Sequence, residues 1–158
     1  MFHENWYSET QCNDLKNLLK QTLSLTEGHI IEIGCWEGRS TYNLAQTCYP
    51  QTLLCNDTWL GNIEESKATD KTNISELLAK ERNVYETFIH NMNLLTQGNY
   101  TVIKKDCIEW LSTYNEPIKF IHIDASHEYE SVAKTLDKVL PLMVKGGIVC
   151  GDDFIDMI

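Results

Sequence analysis

Glu32-Ile33-Gly34-Cys35-Trp36-Glu37-Gly38 is the stretch from which the architecture of this chain can be predicted. It continues an apolar run that starts at His29 and is typical of a short buried strand. Gly34 and Gly38 let the backbone pass close to a ligand, and a helix predicted from Ser40 to Cys48 would direct free N–H groups toward it. The pattern predicts a strand, a tight turn and a helix, with a ligand site at the turn.

An acidic residue at the end of the next predicted strand indicates which ligand is bound. Asp57 follows the strand 52–56 and lies 23 residues after Gly34, where a doubly wound fold places the carboxylate that binds ribose hydroxyls. The turn and Asp57 together favour an adenosine ligand. The spacing Gly-x-x-x-Gly differs from the G-x-G-x-x-G of dinucleotide sites. An anionic Glu32 facing the crevice suits a cationic ligand and opposes a pyrophosphate. These residues predict S-adenosylmethionine (SAM) rather than NAD.

The rest of the chain alternates short β-rich runs with helical patterns, which predicts a parallel sheet with helices on both faces. A first helix is predicted to begin at Ser8, where Gln11 completes a capping box. Further strands are predicted at 100–103, 120–123 and 148–150.

Two later helical patterns have a defined apolar face. One long helix is predicted to run from Ile74 to Leu95, with apolar residues at helical spacing over more than five turns. A short helix is predicted from Cys107 to Tyr114. A further helix, ending at 145–147, is predicted to bury Val132, Ala133, Leu136, Val139, Leu140 and Met143.

Composition narrows the class of protein and its partners. The 158 residues predict a single domain, 1–158, and 42% hydrophobic residues are typical of a globular protein. The chain has no apolar run of the ~20 residues that a membrane span needs and no secretory signal at its start, which predicts a cytoplasmic protein. The net charge of −10, without a Lys/Arg cluster, makes nucleic acid an unfavourable partner. Six cysteines without C-x-x-C spacing predict packing rather than zinc or redox roles.

Three motifs resemble those of a known family. Glu32-Ile-Gly-x-x-x-Gly38 resembles motif I of class I SAM-dependent methyltransferases. The run FIHIDASHEY at 120–129, with GGIVCGDD at 146–153, resembles the branch that contains the macrocin O-methyltransferases, which are metal-dependent and methylate sugar hydroxyls. The resemblance extends from about Tyr7 to Phe154. It implies a Rossmann-like fold, SAM and Mg²⁺ as cofactors, and a small hydroxylated acceptor such as a sugar.

Roles for individual residues are implied by the same resemblance. The residues implied around the methionine part of SAM are Glu32, Gly34, Trp36, Gly38 and Ser40. Asp57 would hold the ribose, and Asp106 with Cys107 would face the adenine. Asp124, Asp152 and Asp153 would bind Mg²⁺, and His127 would be the general base.

Strand positions give independent support for the metal and the base. Asp124 ends the fourth predicted strand and Asp152-Asp153 follow the fifth, so these carboxylates converge if the strands are neighbours ~4.8 Å apart. Their repulsion is relieved by a hard cation such as Mg²⁺, which also lowers the pKa of a bound hydroxyl. His127 follows Asp124 by three residues, which would place its neutral imidazole beside the site. It could then take the proton from the acceptor hydroxyl. The alternatives are that Asp124 and Asp153 cap turns or helices and that His127 is structural.

The sequence departs from the family pattern at its carboxyl end. Methyltransferases of this class have seven strands, the last two forming an antiparallel hairpin, whereas five are predicted here. An exposed edge strand promotes association, which favours a homo-oligomer. The chain is then a fragment, a short natural variant or a chain completed by a partner. Two other functions compete with methyl transfer. One is a SAM-binding module without turnover, and the other is a nicotinamide-dependent oxidoreductase, disfavoured by Glu32 and the absent G-x-G-x-x-G.

Overall fold

A computed structural model describes residues 2–4, 6–63, 66–67 and 71–152 of the chain. Within these residues five parallel strands form one sheet, in the order β3-β2-β1-β4-β5. The strands are β1 (His29–Ile33), β2 (Leu53–Asp57), β3 (Tyr100–Lys104), β4 (Ile118–Ile123) and β5 (Met143–Gly151). The order reverses between β1 and β4, and doubly wound folds bind ligands in the crevice beyond the strand ends at this point. The predicted Rossmann-like α/β fold is confirmed.

Helices cover both faces of the sheet. They are α1 (Glu9–Thr22), α2 (Arg39–Cys48), α3 (Ile74–Glu81), α4 (Val84–Leu95), α5 (Cys107–Leu111) and α6 (Tyr129–Val139), followed by a 3₁₀ turn (Leu140–Leu142). The capping box predicted for α1 is confirmed, because the Gln11 N–H donates to Ser8 Oγ at 3.2 Å and the Ser8 N–H donates to Gln11 Oε1 at 2.9 Å. In the part of the chain described, none of the helices has the length and apolar character to cross a membrane.

The core lies on both sides of β1, so this strand is almost continuously apolar. On one side Ile30 packs with residues of α1, α2 and α4, among them Leu19 and Phe88. On the other side Ile31 and Ile33 pack with residues of β4, α5 and α6. None of the six cysteines forms a disulfide.

The prediction of a single helix from Ile74 to Leu95 is wrong. The backbone is extended at Arg82 (φ −147°, ψ 159°), which separates α3 from α4. Asn83 supplies the local reason, because its side chain accepts a hydrogen bond from the Glu86 N–H at 3.1 Å and begins a new helix. Ile74, predicted on the buried face, is 58% exposed.

The predicted boundary between the last helix and strand is also wrong. Helix α6 ends at Val139, Pro141 lies in the 3₁₀ turn, and Met143 already begins β5. Proline lacks the N–H that a continuing helix would use, so the helix ends before it. The apolar residues continue at helical spacing beyond this end, and the pattern therefore predicts too long a helix. Leu140, predicted to be buried, is exposed. The predicted helix from Cys107 likewise ends earlier, at Leu111.

Candidate active site

A cavity of about 510 Å³ opens beyond the carboxyl ends of β1, β2 and β4. Its volume lies in the range of small-molecule sites. The wall contains the turn after β1, the end of β2, the loop after β3 and the segment after β4. Of the predicted site residues, those that line it are Gly34, Trp36, Ser40, Asp57, Asp106, Cys107, Asp124, His127 and Asp152.

The turn after β1 requires glycine at its first position. Gly34 has φ +89°, and a Cβ built there would lie 1.9 Å from the backbone oxygen of Asp124. Gly38 also has a positive φ, but a Cβ there would meet Phe88 Cδ2 at 3.2 Å. Gly34 therefore lets the turn lie against the segment after β4. Gly38 lets α2 pack against α4, and it is not among the cavity-lining residues of the described chain.

Asp57 ties the end of β2 to this turn. Its two carboxylate oxygens accept hydrogen bonds from the backbone N–H groups of Trp36 at 2.8 Å and Trp59 at 2.6 Å. Both tryptophans have a positive φ, and Trp59 Nε1 donates to the Trp36 carbonyl at 2.8 Å. Burial raises the pKa of Asp57, although the backbone amides of Trp59, Trp36 and Cys35 act in the opposite direction. A carboxylate has about four lone-pair sites, so Asp57 can accept further hydrogen bonds from a ligand.

Glu32 lies beneath the cavity rather than in its wall. Its side chain is fully buried, and Oε1 is 3.1 Å from Nδ1 of His122, the residue beside it on β4. His122 Nε2 is 3.5 Å from the Tyr7 hydroxyl. Glu32 Oε2 has no hydrogen-bond partner among the described residues. Glu32 is thus held by His122 through one oxygen and does not line the cavity of the described residues, and its expected contact with a cofactor stays a prediction.

The loop after β3 brings two predicted adenine contacts to the cavity. The Asp106 side chain caps α5 by accepting a hydrogen bond from the Glu109 N–H at 2.9 Å. Cys107 is half-buried, and its Sγ is 4.0 Å from Thr135 Oγ1 on α6. Asp106 thus has a structural role that is independent of a ligand.

The β4–β5 side of the cavity carries the predicted base and two predicted metal ligands. His127 Nε2 lies 3.7 Å from Asp124 Oδ1. Burial raises the pKa of Asp124, opposed by His127 and His122 and assisted by the charges of Asp152 and Glu32. Both carboxylate oxygens of Asp152 accept from the Gln11 side-chain amide, at 3.0 and 3.4 Å.

The predicted metal site is only partly described. Asp153 lies outside the described residues. Among those described, no group of three or more His, Cys, Asp or Glu side chains is arranged to hold a metal ion. Asp124 and Asp152 nevertheless line one cavity at the ends of two neighbouring strands, as predicted.

The amino-terminal residues form a part of the site that the sequence patterns did not reveal. Phe2, Glu4, Trp6 and Tyr7 all line the cavity. We call residues 2–4 and 6–7 the N-terminal strap. Ring contacts join it to the body of the protein, with Trp6 5.4 Å from Trp36 and Phe2 5.5 Å from Tyr42 between ring centroids. The available signal was three aromatic residues ahead of the first helix, without any periodicity to interpret.

Solved structures with the same fold include several methyltransferases. The calicheamicin methyltransferase CalS11 has a TM-score of 0.59 and 18% identity, covering 92% of this chain and 66% of that one. A protein described as an O-methyltransferase from Klebsiella pneumoniae has a TM-score of 0.67 and 18% identity, covering 97% and 58%. An rRNA methylase from Streptococcus thermophilus has a TM-score of 0.57 and 12% identity, covering 98% and 75%. The chain thus spans 66% and 58% of the length of the first two structures.

Comparison of the sequence with protein-family models identifies the family of the chain, which these distant structures alone do not. No curated protein matches it significantly. A family model described as "Methyltransferase domain" matches residues 31–154, from the first strand through both predicted metal-binding segments. This match covers well over half of the chain, which therefore belongs to the methyltransferase domain family.

Proposed function

We propose that the chain is a SAM-dependent O-methyltransferase that acts on a hydroxyl of a small acceptor, such as a sugar, with the help of Mg²⁺. One observation carries the proposal. A single cavity has Gly34, Trp36 and Asp57 on its β1–β2 side, and Asp124, His127 and Asp152 on its β4–β5 side. Holding two reactants side by side makes their reaction effectively unimolecular, which is the main task of an enzyme that catalyses direct transfer.

The roles of the residues follow from their positions. When bound, SAM supplies a methyl group on a positively charged sulfur. Asp57 and the turn would hold the cofactor, while His127 would take the proton from the acceptor hydroxyl. Transfer of this methyl group to the acceptor oxygen would leave neutral S-adenosylhomocysteine (SAH). Asp124, 3.7 Å from the imidazole, would orient the base and stabilise its protonated form.

The donors on the β4–β5 side fit a hard cation. Asp124 and Asp152 supply carboxylate oxygens from neighbouring strands, which is the chemistry that Mg²⁺ prefers. When bound, the ion would lower the pKa of a coordinated hydroxyl. Asp152 would have to share or release its contact with the Gln11 amide.

Charge and the structural neighbours suggest which acceptors to test first. CalS11 is named as a TDP-rhamnose 3'-O-methyltransferase, so TDP-linked deoxysugars come first, followed by simple glycosides. RNA is a poorer candidate despite the rRNA methylase among the neighbours, because a net charge of −10 opposes a polyanion.

The test is formation of SAH from SAM with this acceptor panel, in Mg²⁺ and in EDTA. His127→Ala should lower kcat by about 10²- to 10³-fold, in the range of general-base loss, with SAM affinity unchanged. His90→Ala removes an exposed histidine on α4 and serves as the control. Equal turnover by wild type and His127→Ala would contradict the assigned base.

A second candidate is a SAM-binding module without turnover. It is favoured by the Gln11 amide, which occupies both oxygens of Asp152. Such a module would bind SAM but release no SAH with any acceptor, and Mg²⁺ would not change its SAM affinity. Turnover that is lost in EDTA and restored by Mg²⁺ would exclude it.

A further inference from the structure

Glu37, in the turn after β1, is a buried carboxylate in contact with distant segments. Its side chain is 2% exposed. It accepts a hydrogen bond from the His3 N–H at 2.7 Å, lies 2.8 Å from His3 Nδ1, and pairs with Arg82 Nη2 at 2.9 Å. Its backbone carbonyl accepts from the Asn91 side chain at 2.9 Å. The turn is therefore joined to the strap, to the break between α3 and α4, and to α4 itself.

Arg82 is the cation that connects the strap to this turn. The same Nη2 atom that pairs with Glu37 also pairs with Glu4 of the strap. The three side chains are largely shielded from water, with 24%, 2% and 16% of Arg82, Glu37 and Glu4 exposed. Without the guanidinium, two carboxylates would face each other in a region of low dielectric, which is unfavourable.

The break in the helix is what brings Arg82 to this position. A continuous helix through Arg82 would have continued the α3 direction, but the extended backbone at this residue starts α4 on a new course. The Nη2 nitrogen of an Arg guanidinium carries two N–H donors, so it can donate to two carboxylates at once. Glu4 also accepts from Trp36 Nε1 at 3.3 Å, so the latch adjoins a cavity-lining residue on the turn.

We propose that Arg82 is a positioning residue that latches the N-terminal strap across the cavity through Glu4 and Glu37, and that release of this latch sets the rate at which SAM and SAH leave. The strap supplies Phe2, Glu4, Trp6 and Tyr7 to the cavity wall. On this proposal, the closed latch holds these side chains beside a bound cofactor and slows its exchange. The role of the latch in ligand release rests on the proposed function, because it takes SAM as the ligand.

The latch is tested first without any cofactor. Glu4→Ala removes the strap's carboxylate but leaves the Arg82–Glu37 pair in place, so the fold should be preserved. Amide hydrogen exchange in residues 2–7, which include the His3 N–H bound to Glu37, should become about tenfold faster, as expected when a partly buried charged hydrogen bond is lost. Glu4→Gln keeps an acceptor without the charge and should give an intermediate rate.

Lys80→Ala is the matched control. It removes an ion pair with Glu76 on α3, two residues from Arg82 and outside the strap contacts. Exchange in the strap should equal that of wild type. Exchange that is equally fast in Glu4→Ala and Lys80→Ala, or unchanged in both, would overturn the latch.

The second arm measures dissociation of SAM and SAH by stopped-flow fluorescence. Glu4→Ala should release both ligands about tenfold faster than wild type, and Lys80→Ala should stay within about twofold, since changes at a binding site act mainly on dissociation. A strap that opens in Glu4→Ala without faster release would overturn its role in cofactor retention. A wild-type chain that holds neither ligand would refute the proposed function instead, and the exchange comparison would then decide the latch alone.

Discussion

The two sides of the cavity differ in how far the chain has arranged them in advance. On the β1–β2 side, both oxygens of Asp57 are fixed by backbone amides, and the turn is held in a conformation that requires Gly34. On the β4–β5 side, His127 is paired with Asp124 at 3.7 Å between side-chain atoms, and its side chain is 41% exposed. Asp152 is held by a side-chain amide from another element.

This difference separates two tasks of a transferase. Under the proposed function, the cofactor would be bound by a carboxylate that backbone amides already hold in place, as at Asp57, so that binding costs little reorganisation. The proposed acceptor side carries charged groups held by side-chain contacts, which can rearrange when a substrate or a cation binds. We therefore expect changes on the β1–β2 side to alter stability and cofactor affinity, and changes on the β4–β5 side to alter turnover.

The largest expected effect is a loss of stability at Gly34, where the turn after β1 lies against the segment after β4. Gly34→Ala would put a Cβ 1.9 Å from the Asp124 backbone oxygen, at a positive φ. We expect a loss of about 4 kcal/mol or more in the free energy of unfolding, since backbone cannot move aside as a side chain can. Urea unfolding followed by circular dichroism measures this.

Gly98→Ala is the control for Gly34→Ala. Gly98 has φ +75° but nothing within 4 Å of an added Cβ. It should cost only the ~1–2 kcal/mol of a left-handed residue. Similar losses for both variants would show that the close approach of the two sides is not a constraint.

A smaller effect on stability is expected from the buried pair of Glu32 and His122. Burial pulls the pKa of His122 down, but the hydrogen bond and charge of Glu32, with Asp124 and Asp152, outweigh it and raise the pKa above 6.5. A group with a raised folded-state pKa contributes stability that is fully present below its unfolded pKa. That contribution is lost as the pH rises through the folded value. Without divalent cations, the free energy of unfolding should therefore fall with pH above about 6.5.

Glu32→Gln distinguishes this pair from other titrating groups. It should remove the slope above pH 6.5 and cost about 3 kcal/mol at pH 6, because a charged imidazole would lose its buried partner. Urea midpoints at pH 6 and pH 8 measure both quantities. The same slope in wild type and Glu32→Gln would contradict the assignment of this titration to His122.

The smallest effect is expected at Asp106, whose carboxylate already caps α5. Asp106→Ala should cost about 1 kcal/mol of stability through loss of the cap. If adenine is bound mainly by shape and apolar contact, the SAM affinity should change less than about threefold. A thermal melt and a SAM titration on the same sample separate the two. A much larger loss of affinity than of stability would assign Asp106 a direct role in cofactor binding.

Local signals were sufficient to predict the start of the first helix and much of the β1–β2 side. The Ser8–Gln11 capping box depends on residues three apart, and the spacing from Gly34 to Asp57 reflects one strand–helix–strand unit. Both are short-range consequences of the sequence, and the structure shows both as expected.

Contacts between distant segments account for what the sequence did not reveal. Apolar residues recur at helical spacing from Ile74 to Leu95. The helix is nevertheless interrupted at Arg82, which pairs with Glu4 and Glu37. Glu32 turns toward His122 because the register of β1 and β4 places the two residues side by side. Neither partner can be read from the local pattern, because strand register and the path of the strap are tertiary properties.

Calorimetric titration of SAM, SAH and NAD into wild type, Asp57→Ala and Asp14→Ala would test whether the β1–β2 side is a SAM site. Asp14 is an exposed carboxylate on α1 and controls for loss of charge. We predict that wild type and Asp14→Ala bind SAM and SAH equally well and do not bind NAD. Asp57→Ala should bind both about 100-fold more weakly, because charged hydrogen bonds to the ligand and the anchoring of the Trp36 and Trp59 amides are lost together. NAD binding, or unchanged SAM affinity in Asp57→Ala, would contradict the assignment.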